Sequence, residues 1–156
     1  MTERRADDEA VEATLVASRA LLGVVARSMT EALHEVTITQ FRILVVLTST
    51  ESLRIGALAE RMSANVSTFS RTIDRMVTHG WVDRATSADS RREVLVSITA
   101  TGRAIVDDVT ARRRSELADI LDRMPLAEQK ALSAVLTSFA VAAGEPHSVE
   151  LLVLGL

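Results

Sequence analysis

Apolar residues recur in steps of three and four along most of the chain, and in steps of two over one short stretch. Val11, Leu15, Leu22, Val25, Met29 and Leu33 draw a single stripe, polar only where Ser18 stands in the row, and Leu21 and Val24 add a second row beside it. This is the helical period, and it predicts one amphipathic helix from about Asp7 to Glu35, roughly 29 residues and about 43 Å long. A domain of this size cannot cover such a helix, so part of the stripe is expected to pack against another chain. An ordinary core helix that overhangs is the alternative. Thr37-Ile38-Thr39-Gln40 then has the spacing of a capping box, in which the Thr37 hydroxyl accepts from the Gln40 amide while the Gln40 side chain reaches back. The helix it opens, Ile38–Thr48, is expected to bury Ile38, Phe41, Leu44, Val45 and Leu47.

The segments then shorten. Ile55, Leu58, Ala59 and Met62 make the inner face of a helix over Ile55–Met62, and Ser63 and Ala64 are left for a turn. Val66, Phe69, Ile73, Met76 and Val77 mark the inner face of a second helix over Asn65–His79. Asn65 suits its N-cap. His79-Gly80 suits its end, because glycine takes the left-handed conformation such a stop uses. Trp81–Ala85 and Val94–Thr99 read as two strands joined by the loop Thr86–Glu93, and Leu53-Arg54 offers a short third strand. From about Thr101 the helical period returns through Val106, Val109, Leu117, Ile120, Leu121 and Met124. Pro125 interrupts it, and Leu126–Ala143 presents Ala131, Leu132, Val135, Leu136 and Phe139. The tail Val149–Leu156 is apolar except for Glu150 and is expected to lie on the helical frame. Together these elements describe a mostly α chain with a small β-wing. A winged helix-turn-helix occupies residues 37–100, and a helical dimerisation region is built from residues 1–36 and 101–156.

Composition narrows the chemistry. A chain of 156 residues suits one domain, and at 3% aromatic its core must be aliphatic. There is no cysteine, so disulfides, thiolate metal sites and cysteine-based redox sensing are excluded. His34, His79 and His147 lack ligand-like spacing, so neither a metal nor a cofactor is expected. Met1–Ala10 is charged where a signal peptide needs an apolar run, and no apolar stretch approaches the roughly 20 residues of a membrane span. The expectation is a cytoplasmic protein with no membrane partner.

The net charge of −3 is unevenly placed. Arg54 to Arg103 holds eight arginines against five acidic residues, a net of +3, while the remainder carries −6. Within that basic stretch, Ser67, Thr68, Ser70, Arg71, Asp74 and Arg75 form the face of the second helix opposite its apolar residues. Short hydroxyls in a first turn let a helix end approach phosphates and base edges, and arginines one and two turns later can reach guanine or clamp phosphate. In the loop, Arg91 and Arg92 follow Asp89, which is spaced to pair with an arginine and fix its direction; a loop arginine can enter a minor groove. A merely solvated face and a solvated arginine pair are the plain alternatives.

The chain resembles the MarR family of bacterial transcription regulators over roughly residues 10 to 143. The resemblance is carried by Thr39-Gln40-Phe41-Arg42-Ile43-Leu44, Leu58-Ala59-Glu60-Arg61-Met62, Ser67-Thr68-Phe69-Ser70-Arg71 with Asp74-Arg75, and Gly80-Trp81-Val82-Asp83-Arg84. Its most specific part is Asp89-Ser90-Arg91-Arg92 followed by Val94-Leu95-Val96-Ser97-Ile98-Thr99 and Gly102. The resemblance implies an obligate homodimer on a pseudo-palindromic double-stranded DNA operator. Asn65, Ser67, Thr68, Ser70, Arg71 and Arg75 would be recognition residues, and Arg91 or Arg92 the wing-tip contact held by Asp89. It also implies a signal that changes the separation of the two reading heads. With no thiol and no clustered histidines, a phenolic or other lipophilic effector remains, in a crevice that would involve Met29, His34, Phe41 and Val109. A repressor released by such an effector is the leading expectation. A winged helix used only for protein contact is the alternative. An enzyme is disfavoured, because no phosphate-binding glycine loop, nucleophile–base pair or metal cluster occurs.

Overall fold

The computed structural model describes residues 7–86 and 93–143. In chain order it forms α1 (Asp8–Met29), a 3-10 turn (Ala32–His34), α2 (Ile38–Thr48), β1 (Leu53–Arg54), α3 (Ile55–Arg61), α4 (Val66–Thr78), β2 (Val82–Thr86), β3 (Val94–Ile98), α5 (Ala100–Leu121) and α6 (Leu126–Ala142). The fold is mostly helical with a small three-stranded antiparallel sheet, in the order β1-β3-β2.

The first helix is shorter than its stripe. Instead of running to Glu35, α1 ends at Met29, where the Thr30 amide donates to the Arg27 carbonyl at 3.2 Å. The 3-10 turn that follows redirects the chain, so that Met29 and Val36 both enter one core. A straight helix would keep its direction and carry the later residue away from that core. The capping box at Thr37 forms as expected: the Gln40 amide donates to the Thr37 hydroxyl at 3.3 Å and the Thr37 amide to Gln40 Oε1 at 2.8 Å. The helix it starts is the centre of the molecule, burying Phe41 and every residue from Ile43 to Leu47. Ile38 departs from expectation: it lies in the first turn, outside the core, and is 54% exposed.

Around α2 the core collects Leu58 and Ala59 from α3, Phe69, Ile73 and Met76 from α4, Val82 and Val96 from the sheet, and Val106 and Val109 from α5. Helix α4 stops in a Schellman motif, with the Gly80 amide donating to Val77 (2.9 Å) and the Trp81 amide to Met76 (3.0 Å). Gly80 takes φ 72° to allow it. Trp81 therefore precedes β2 rather than opening it, buried with the His79 ring stacked at 4.4 Å.

One knot joins this body to α5. The Thr99 amide donates to the Trp81 carbonyl (3.1 Å), and the Thr99 hydroxyl donates to the Gly80 carbonyl (2.7 Å) while accepting from the Gly102 amide (3.0 Å). Gly102 is packed so tightly that a Cβ there would stand 2.1 Å from the Trp81 carbonyl oxygen. Thr99 is thus the N-cap of α5 rather than the last residue of a strand.

Helix α1 lies on α5 through Val24, Ser28 and Met29, with Arg27 Nε 2.9 Å from Glu116 Oε2 and Arg113 Nε donating to Ser28 Oγ at 3.4 Å. Beyond this, α1 from Val11 to Leu22 and the whole of α6 have no buried residue. Leu22, Val135 and Phe139 are 67%, 63% and 54% exposed. Among the described residues no helix is long and apolar enough to cross a membrane.

Candidate nucleic-acid interface

Helix α4 is held from behind and open in front. Its buried residues, Phe69, Ile73 and Met76, fix one face against the core. At 100° per residue, Ser67, Arg71, Arg75 and Thr78 then line the opposite face. Thr68 sits at one rim of that face, and Ser70, half-buried, on the other flank toward Val77. Asn65 is the N-cap: its side-chain oxygen accepts from the Ser67 amide at 3.0 Å and from the Ser67 hydroxyl at 2.7 Å. Ser67 therefore offers a ligand its acceptor lone pairs, and Asn65 its amide donors. Thr68, Arg71 and Arg75 are exposed, and neither arginine forms an ion pair among the described residues. Two cations one helical turn apart on an exposed face, with no ion-pair partner among the described residues, suit an anionic surface.

The turn before α4 is tight. The Ser63 amide donates to Glu60 at 2.9 Å and the Ala64 amide to Ala59 at 2.9 Å, and Ser63 adopts φ 49°, a left-handed conformation normally left to glycine.

The wing is anchored at both edges. In β3, Val96 faces Leu53 of β1 and Arg84 of β2, and Arg54 Nε lies 3.1 Å from Glu93 Oε2. Arg84 pairs with Asp74 of α4. Sequence reasoning missed this pair, although the signal was present: alternation along β2 puts Arg84 on the same side as the buried Val82. Asp89, Arg91 and Arg92, the expected wing-tip residues, lie outside the described residues.

Of the four residues expected at an effector crevice, Met29, Phe41 and Val109 belong to the buried core, while His34 is exposed at the end of the 3-10 turn. Val109 lines a cleft of about 70 Å³ together with Glu31, Ala32, Glu35, Ile105, Asp108 and Arg112. That volume is well below the few hundred Å³ of a drug-sized site. Larger open grooves, about 400 and 350 Å³, run along α5 beside Thr110, Arg114 and Ala118. Burial beside the frame pushes the Arg113 guanidinium below its ordinary value.

The family model for the MarR family matches residues 36–94. The crystal structure of RV1404 from Mycobacterium tuberculosis is 36% identical, covering 93% of this chain and 99% of that one with a TM-score of 0.81. The multiple antibiotic resistance protein MarR of Salmonella typhimurium is 27% identical over 97 residues, 62% of this chain and 67% of that protein. The structure of NadR in complex with 4-hydroxyphenylacetate shares the fold at 19% identity, covering 90% of this chain and 96% of that one with a TM-score of 0.55.

Proposed function

The chain belongs to the MarR family of transcription regulators, and from that premise we propose that it is a homodimeric, sequence-specific DNA-binding repressor. The observation that carries this reading is the exposed Ser67–Arg71–Arg75 face of α4, set on a helix-turn-helix and flanked by a wing. Residues 37–100 form the reading head and residues 1–36 and 101–156 the frame. In the dimer, two copies of α4 enter successive major grooves of a pseudo-palindrome, separated by about 34–36 Å, one turn of duplex. Asn65, Ser67, Thr68, Ser70, Arg71 and Arg75 face the operator, and Arg91 or Arg92, directed by Asp89, reaches the flanking minor groove. The uncovered apolar rows of α1 and α6 support the dimer.

Release by a phenolic or lipophilic effector completes the proposal. A ligand that prefers a different head separation weakens operator binding by its differential affinity for the two states. The cleft at Val109 is small, so a ligand seated there would have to open it, whereas the larger grooves along α5 beside Thr110, Arg114 and Ala118 already have the volume of a ligand site.

Footprinting on DNA upstream of the protein's own gene, with and without 4-hydroxyphenylacetate and a panel of lipophilic phenols, tests the whole reading. The expected result is a protected pseudo-palindrome released by one compound. Arg71→Ala should weaken binding about tenfold and reduce the salt slope by about one. Unchanged mobility shifts at near-physiological salt would remove Arg71 from the interface.

A further inference from the structure

The open face of α4 carries one carboxylate among its cations. Asp74 stands three residues after Arg71 and one before Arg75, and residues three apart on a helix are within reach of each other. A free carboxylate in that position would compete for Arg71 and repel an approaching phosphate. In the structure Asp74 pairs with neither neighbour. It is held by Arg84, whose Nη1 donates to Asp74 Oδ1.

The reach of Arg84 follows from the sheet. Val82 is fully buried, Asp83 is exposed, and Arg84 returns to the inner side opposite Val96, which is also fully buried. Its side chain is 30% exposed against 58% for Asp74. The Arg84 side chain is thus partly covered, and its guanidinium meets the Asp74 carboxylate.

We infer that Arg84 is a positioning residue for DNA binding: it neutralises Asp74, leaving Arg71 and Arg75 free for the duplex, and contacts no phosphate itself. The inference rests on the proposed reading of α4 as the DNA-facing helix. It differs from a phosphate contact in two measurable ways. A phosphate contact releases counterions, so losing it lowers the dependence of log K on log salt; losing a neutralising partner does not. Removing Asp74 as well should restore binding if Arg84 acts through Asp74, and should not if Arg84 acts on DNA.

The test uses the full chain and fluorescence anisotropy across a salt series, on a duplex from upstream of its own gene and on a scrambled duplex. Circular dichroism checks that each variant folds. Arg84→Ala is expected to lower affinity about tenfold with the salt slope unchanged. Arg84→Lys, which keeps a cation beside Asp74, should retain most of the affinity. Asp74→Asn combined with Arg84→Ala should return to within about twofold of the unaltered protein. A slope reduced by about one, with no recovery in the double variant, would identify Arg84 as a phosphate contact and overturn the inference. Unchanged affinity in Arg84→Ala would overturn it too. If Arg84→Ala does not fold, Asp74→Asn with Arg84→Gln carries the same comparison against Arg84→Lys. Failure of the unaltered protein to bind either duplex sinks the DNA-facing reading and this inference together. Failure in the Arg84 series alone leaves that reading standing.

Discussion

Helices α4 and α6 carry apolar rows of the same period and end in opposite environments. In α4, Phe69, Ile73 and Met76 are 2%, 0% and 0% exposed, because α2, α3 and the wing of the same chain close over them. In α6 no residue is buried, and Val135, Leu136 and Phe139 stay open to solvent in the single chain. Periodicity tells which side of a helix seeks cover. It does not say whether the cover comes from the same chain or a second one.

Substitutions that separate the two surfaces test this contrast. The largest effect is expected from Leu136→Asp with Phe139→Asp: sedimentation should show a monomer, and operator affinity should fall at least about a hundredfold as the two heads lose their linkage. A dimer that survives this pair would mean that the α6 row is not the frame's seam. Ile73→Ala should do the opposite, keeping self-association while lowering stability by about 2–5 kcal/mol in denaturant unfolding. Gly102→Ala probes the knot between head and frame. The new methyl would meet the Trp81 carbonyl oxygen, so about 1–3 kcal/mol of destabilisation is expected, readable as a lower Tm. The smallest effect belongs to Ser63→Gly. At φ 49° a glycine removes left-handed strain, and stability should rise by about 0.5 kcal/mol, with operator affinity unchanged. A loss of stability there would show that the serine side chain contributes more than its backbone strain costs.

Much of the head was legible because its signals are local. The Thr37/Gln40 box, the Asn65 cap and the Gly80 stop each satisfy backbone groups within a few residues, so each marks its boundary in the sequence. The expected helix Asn65–His79 differs from α4 only in that its two end residues prove to be caps. The misplacements share another cause. Leu33 and Ile38 fall in rows of helical period, yet a 3-10 turn and a first-turn position leave both exposed, 42% and 54%. The Asp74–Arg84 pair was missed because its members sit on different elements, ten residues apart, and meet only after the wing folds back on α4.

The sequence by itself determined the order and period of the elements, their caps, and the polar face of α4, since these depend on neighbours along the chain. Tertiary structure alone decided where α1 breaks, which apolar rows are covered within one chain, and which arginines of the head remain unpaired among the described residues. Those outcomes depend on what stands opposite each side chain in space. Arg71 and Arg84 are both cations in a basic stretch, but only Arg84 folds back onto a carboxylate.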